Sequence, residues 1–125
     1  MCNKFNKSYY SEYKKWCDDY FYLPHRKELR GIGGIFFDYL HSDDWGKDFE
    51  FVQAVGSFFH NYSLFVINKL KEKSWNDQEK NIQLLKRSRY AEFNLLHDRG
   101  TRFGLETGGN IDAILMSMPP LAKWE

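Results

Sequence analysis

The chain has 125 residues, enough for one domain with a hydrophobic core and too few for several. Its 18 basic and 17 acidic side chains are well mixed and leave a formal net charge of +1, which argues against nucleic acid as a partner. Two cysteines exclude a disulfide framework. Because the sequence has neither a signal-peptide core nor a run of about 18 apolar residues, we expect a cytoplasmic protein without a membrane partner.

The first half of the chain alternates helical and extended patterns. Large apolar side chains recur at three-and-four spacing from Tyr9 to about Phe21, which predicts an amphipathic helix that ends before Pro24. The apolar run from Gly31 to Leu40 predicts a strand buried on both faces. A stripe of apolar positions between Asp48 and about Lys73 then predicts a long helix that covers a sheet.

The second half begins with a helix start signal. Asn76 followed by Glu79 predicts a capping box at the start of a helix through about Arg87. Alternating side chains then predict strands over residues 90–96 and 111–118, on either side of a loop rich in glycine and charge. With no linker or repeat, residues 1–125 are predicted to form a single α+β domain.

Residues 20–38 are the segment of greatest chemical interest. A charged cluster with His25, Arg26 and Arg30 leads directly into a glycine-rich turn and a buried-type apolar run. Arginine binds carboxylates bidentately, and the glycines allow a ligand to approach the backbone closely. The segment therefore predicts a binding site for an anionic ligand. The alternative for Arg30 is a structural salt bridge with Glu28 or Asp38.

The same segment fits the pattern YF-x-x-x-HR-x-E-x-RG-[IV]-GG-x-FFD, and on this basis the chain resembles the oxygen-dependent coproporphyrinogen III oxidases. These enzymes of haem biosynthesis convert coproporphyrinogen III to protoporphyrinogen IX by oxidative decarboxylation of two propionates. The further blocks that match in order are residues 13–18, 51–56, 89–95, 98–101, 103–105 and 114–120.

The resemblance implies an antiparallel β-sheet flanked by α-helices, as a partial coproporphyrinogen oxidase fold. It also implies that residues 1–125 correspond to the C-terminal part of a longer enzyme. On that basis the proposed proton donor is absent from the chain, the catalytic residues are unknown, and a separate N-terminal half is an expected partner. A homodimer through the region from Tyr90 to Pro120 is a further implication.

The resemblance implies chemistry without an organic cofactor, in which O2 accepts electrons from the porphyrinogen substrate. It assigns substrate binding to Arg26, Arg30, Gly108, Gly109 and Asn110. Asn110 replaces an arginine that is common in the family, and Tyr39 replaces an aspartate, so neither position carries the charge of its relatives.

His25 is the residue with the most open role. By resemblance it is a possible ligand of a divalent metal such as manganese, but a metal site needs three or four converging ligands. His41, His60 and His97 do not lie at ligand spacing from it. The alternative is a hydrogen-bonding wall of the substrate pocket.

Two other functions compete with the enzyme hypothesis. One is a non-catalytic remnant of a split or decaying gene that only dimerises or docks with the missing half. The other is a tetrapyrrole-binding or haem-binding module, which would use the aromatic content and His25 but has no axial-ligand motif. Turnover assays and a haem titration distinguish these hypotheses.

Overall fold

The computed structural model describes residues 1–125, and its fold is α+β: mostly helical, with one small antiparallel sheet. Strands β1 and β2 pair with Tyr22 opposite Leu29 and Leu23 opposite Glu28. No helix combines the length and apolar character that crossing a membrane demands. The elements are α1 (Tyr9–Tyr20), β1 (Tyr22–Leu23), β2 (Glu28–Leu29), α2 (Trp45–Leu70), α3 (Asp77–Leu96), α4 (Arg99–Glu106) and α5 (Ile111–Ile114), with 3₁₀ turns at Cys2–Lys4 and Leu115–Ser117.

The chain divides into two compact units, each with its own core. The first unit consists of residues 1–20 and 34–74, and the second consists of residues 21–33 and 75–125. In the first, α1 and α2 hold an aromatic cluster around Phe51. In the second, the β1–β2 hairpin belongs with α3 to α5, and Leu23 and Phe93 are fully buried.

The predicted helices are confirmed. The amphipathic pattern that begins at Tyr9 forms α1, and the long apolar stripe forms α2, which starts slightly earlier than predicted because the Asp44 side chain accepts a hydrogen bond from the Lys47 N–H. The capping box at the start of α3 is present, with reciprocal hydrogen bonds between Asn76 and Glu79.

The predicted strand over residues 90–96 is wrong, because these residues complete α3. Once the capping box has nucleated the helix, each further residue that is fixed gains one hydrogen bond, and Ala91 and Glu92 favour that extension. The residues buried along this part of α3 are Ser88, Ala91, Phe93 and Asn94. Ser88, Ala91 and Asn94 recur at intervals of three, which is a helical spacing, and this spacing outweighs the short alternation that suggested a strand.

The other two predicted strands are also absent. Residues 31–40 are irregular, and Gly33 has a φ of 74°, which a strand does not allow. Residues 111–118 form α5 and a 3₁₀ turn instead, because the Asn110 side chain accepts hydrogen bonds from the N–H groups of Asp112 and Ala113. That capping starts a helix at the position where alternation predicted a strand.

Candidate functional site

The hairpin of the second unit presents His25 and Arg26 at its turn. The Leu23 carbonyl accepts hydrogen bonds from the N–H groups of Arg26 (3.1 Å) and Lys27 (2.8 Å). Lys27 takes a φ of 55°, in the left-handed region, which closes the turn. The turn therefore fixes the backbone from which the two predicted site residues extend.

Both side chains converge on the carboxylate of Glu92 in α3. Arg26 donates through Nε to Oε2 (3.0 Å) and through Nη2 to Oε1 (2.7 Å), which is a bidentate pair. His25 Nε2 lies 2.7 Å from Oε2, and Trp124 Nε1 donates to Oε1 at 2.8 Å. The side chain of Glu92 is only 10% exposed, so these partners replace water around the charge. We call these four residues the Glu92 cluster.

The surroundings of Glu92 hold it in the ionised state. The hydrogen bonds from Arg26 are the largest cause and, with those from His25 and Trp124, they lower the pKa of the Glu92 carboxyl to about 2, although burial acts in the opposite direction. The Arg89 guanidinium adds a more distant positive charge, with Nη1 3.9 Å from Oε1. Glu92 is thus an anion at neutral pH, and its charge balances that of Arg26 at the turn of the hairpin.

The other acidic residue of the hairpin serves to fasten it to α3. Glu28 accepts hydrogen bonds from Arg89 Nε (2.5 Å) and Lys86 Nζ (3.4 Å). The bond from Arg89 is the main reason why the pKa of Glu28 is lowered. The hairpin is therefore tied to α3 through Glu28 and through Glu92.

Arg30 lies among aromatic rings. Its guanidinium carbon is 3.8 Å from the ring centroid of Phe21, 4.6 Å from that of Tyr90 and 5.1 Å from that of Phe93. Such stacking engages the faces of the guanidinium, whereas its N–H donors point outward in the plane. The arrangement stabilises a cation at this position, and a role for Arg30 in binding substrate stays a prediction.

Gly108, Gly109 and Asn110 form the connection between α4 and α5. Gly108 has a φ of 73°, and the Gly109 N–H donates to the Gly104 carbonyl at 2.9 Å. A Cβ on Gly109 would approach Ile114 Cδ1 to 3.0 Å. Asn110 caps α5. The local backbone structure therefore accounts for the residue type at all three positions. Their predicted contact with substrate stays a prediction.

His97 was not predicted to belong with His25, yet the two rings stack with centroids 5.7 Å apart. The Nε2 atom of His97 is buried and has no hydrogen-bond partner. No sequence spacing relates these positions, nor does one relate Glu92 or Trp124 to the hairpin. The one local signal for Glu92 was the position of Arg89 three residues before it. In a helix these two residues are neighbours, so the spacing indicates an ion pair only if this segment is helical.

The residues do not fit a metal ion at His25. No three His, Cys, Asp or Glu side chains lie together in a way that could hold one. The Nε2 atom of His25 is moreover engaged by Glu92. The divalent metal stays a prediction.

The first unit contains a separate cleft of about 530 Å³, open to solvent. The last residue of the matched pattern, Asp38, lies in its wall. Asp48 is fixed there because it accepts hydrogen bonds from the N–H (2.9 Å) and hydroxyl (2.7 Å) of Ser42, which lower its pKa. The lining residues are Phe37, Asp38, Leu40, His41, Asp43, Trp45, Asp48, Phe49 and Val52.

Comparison with known families gives a match over the whole sequence. The model of the family described as coproporphyrinogen III oxidase matches residues 1–125, which include the hairpin, the Glu92 cluster and the connection between α4 and α5. The chain therefore belongs to the coproporphyrinogen III oxidase family, whose role is in porphyrin biosynthesis.

Proposed function

We propose that this chain is the C-terminal part of an oxygen-dependent coproporphyrinogen III oxidase and supplies part of the substrate site. In this proposal Arg26 binds a propionate of the porphyrinogen. Gly108, Gly109 and Asn110 contribute backbone and amide groups to the same substrate, and Arg30 contributes a second cation. The family match supports the substrate class, and the geometry around Arg26 supports the assignment of that residue.

The proposal rests on the Arg26 guanidinium, whose two edges have different partners. Glu92 engages Nε and Nη2, which holds the plane of the fork in place. Nη1 lies 3.8 Å from the carboxylate of Glu125, whose side chain is 79% exposed. This edge is oriented toward a carboxylate that is itself free to move into solvent. A substrate propionate that displaces Glu125 would meet a pre-oriented donor.

The main role proposed for the protein in this reaction is to orient the substrate. At each reacting propionate, the carbon next to the pyrrole ring loses a proton and two electrons, and the bond to the carboxylate then breaks to release CO2 and leave a vinyl group. O2 takes up the two electrons with two protons, one from the substrate and one from solvent, and becomes hydrogen peroxide. The role proposed for Arg26 is to hold the carboxylate in one direction while this occurs.

The proposal includes partners. The porphyrinogen is the ligand, a separate N-terminal half completes the site, and a homodimer forms through the region from Tyr90 to Pro120. Exposed apolar side chains in that region support an interface. They are Leu95, Leu96, Phe103, Leu105, Ile111 and Met116. We further propose a cytoplasmic location and no organic cofactor.

Activity measurements distinguish the enzyme from a non-catalytic remnant. The chain alone is expected to give no turnover of coproporphyrinogen III, because the proposed proton donor is absent from it and loss of an essential group typically costs orders of magnitude in rate. Mixing it with a separately made N-terminal half should give vinyl product and consume O2. If the two halves bind each other but produce no vinyl product, the chain is a non-catalytic remnant.

A further inference from the structure

The cluster around Glu92 contains a histidine whose two nitrogen atoms are in different situations. The Nε2 atom of His25 lies 2.7 Å from Oε2 of Glu92, and Glu92 is an anion that can only accept hydrogen bonds. Nε2 must therefore carry the hydrogen. In the neutral imidazole the other nitrogen, Nδ1, then keeps its lone pair and becomes an acceptor.

The orientation of this ring is fixed from two sides. Glu92 is only 10% exposed and is itself held by Arg26 and Trp124. The His97 ring stacks on His25 at an interplanar angle of 30°. The side chain of His25 nevertheless remains 38% exposed, so a ligand can reach it.

We infer that Glu92 is a positioning residue that holds His25 as the Nε2–H tautomer and Arg26 as a fixed fork, so that Nδ1 accepts a hydrogen bond from a pyrrole N–H. The same carboxylate thus orients an acceptor, His25 Nδ1, and a cation, Arg26, on neighbouring residues. A porphyrinogen carries N–H donors within its rings and carboxylates on its side chains. The acceptor matches the N–H donors, and the cation matches the carboxylates. The identity of the ligand rests on the proposed function, whereas the role of Glu92 in fixing the tautomer does not.

The positioning role is tested by long-range ¹H–¹⁵N spectra of the histidine rings in the full chain, recorded in alkaline buffer on the neutral imidazoles. The wild-type protein should show His25 as the Nε2–H tautomer. In Glu92→Gln the amide can donate to Nε2, so His25 should shift toward the Nδ1–H tautomer, while Glu92→Asp should retain the wild-type form. Glu125→Gln is the matched control, because Glu125 contacts Arg26 and not the His25 ring. A wild-type spectrum with the Nδ1–H tautomer would overturn the inference without the need for any variant.

The ligand assignment is tested separately by anaerobic titration with coproporphyrinogen III. The proposed bond joins a neutral imidazole nitrogen to a neutral pyrrole N–H, and such a bond contributes about 0.5–1.5 kcal/mol, so Glu92→Gln should bind several-fold to about tenfold more weakly, with partial recovery in Glu92→Asp. If the tautomer switches but the affinity does not change, His25 does not bind the pyrrole N–H. If the wild-type chain does not bind at all, the proposed substrate site fails, and the spectra still decide whether Glu92 positions His25.

Discussion

In the unit of residues 1–20 and 34–74, aromatic rings pack against other rings, whereas in the unit of residues 21–33 and 75–125 they surround a cation beside a network of ion pairs. Phe51 has ring contacts with Phe5, Tyr9, Tyr13 and Phe37 at centroid distances of 5.0–6.0 Å. In the second unit, rings enclose Arg30 and a carboxylate organises Arg26. An aromatic content of 18% therefore serves two different purposes. In the second arrangement the rings and the carboxylate hold two cations in fixed positions.

The largest expected effect comes from removing the centre of the ring cluster. Phe51 is 1% exposed, so Phe51→Ala leaves a cavity and should lower the free energy of unfolding by about 3–5 kcal/mol. Phe59 lies on the same helix but is 72% exposed, and Phe59→Ala should change stability far less. Denaturant unfolding of both variants measures the difference. Equal effects would show that Phe51 does not organise this unit.

A smaller effect is expected from removing the centre of the charge network. Glu92→Ala leaves Arg26 without its bidentate partner, and it should cost about 2–3 kcal/mol, below the value for a fully buried pair because Arg26 remains 30% exposed. Glu106→Ala is the control in the same unit, since its pair with Arg102 lies on the surface and should contribute less than about 1 kcal/mol. Chemical denaturation checks both values. Similar losses would mean that the ion pairs of Glu92 contribute no more to stability than a surface ion pair does.

Acid should weaken this same network. The pKa of Glu92 is lowered from 4.5 to about 2 in the folded chain, so its stabilising effect is complete above pH 4.5 and is lost as the pH falls toward 2. The difference in unfolding free energy between the wild-type chain and Glu92→Gln should shrink over this interval. If the difference were independent of pH, the carboxylate charge would not be the source of the stability.

Substitution of Arg30 distinguishes a purely structural role of this residue from a role in substrate binding. Loss of its cation–π contacts in Arg30→Ala should cost about 1–2 kcal/mol, and Arg30→Lys should recover only part because an ammonium lacks the planar fork. In the reconstituted enzyme, Arg30→Ala should lower kcat/KM more than Lys27→Ala. Normal turnover with a lowered Tm would make Arg30 a structural residue.

A further pH-dependent effect is expected in the ring cluster under alkaline conditions. Burial is the main reason why the pKa of Tyr13 is raised from 10.0 to about 12, and the neighbouring Tyr9 adds to it. The neutral phenol is thus favoured in the folded chain, and its contribution to stability is present below pH 10 and lost as the pH rises toward 12. Tyr13→Phe should remove this alkaline loss. Unfolding curves recorded across that pH range for the two proteins provide the check.

The sequence predicted several parts of this molecule that depend on local signals. The periodicity of α1 and α2 and the capping box at Asn76 all act within a few residues, and each is present in the structure. The strand predicted over residues 90–96 failed because a short alternating pattern competed with an already nucleated helix. Alternation over so few residues is weak evidence against a capped helix.

The candidate site was predictable only in part. His25 and Arg26 were chosen for their residue types and their place in the matched pattern, and they do lie together. Glu92 and Trp124 lie 67 or more positions along the chain from His25, and nothing in their local sequence indicates that they meet. Pairing of this kind is a product of tertiary packing, so it could not be derived from spacing.

The proposed binding of a substrate carboxylate by the Nη1 edge of Arg26 is tested by comparing two ligands that differ in their number of carboxylates. Anaerobic titration should show that the wild-type chain binds coproporphyrinogen III at least about tenfold more tightly than protoporphyrinogen IX, because the latter lacks two propionates. Arg26→Ala should abolish this preference, and Lys27→Ala should keep it. If Arg26→Ala retains the full preference, the carboxylate is bound elsewhere and Arg26 is not part of the substrate site.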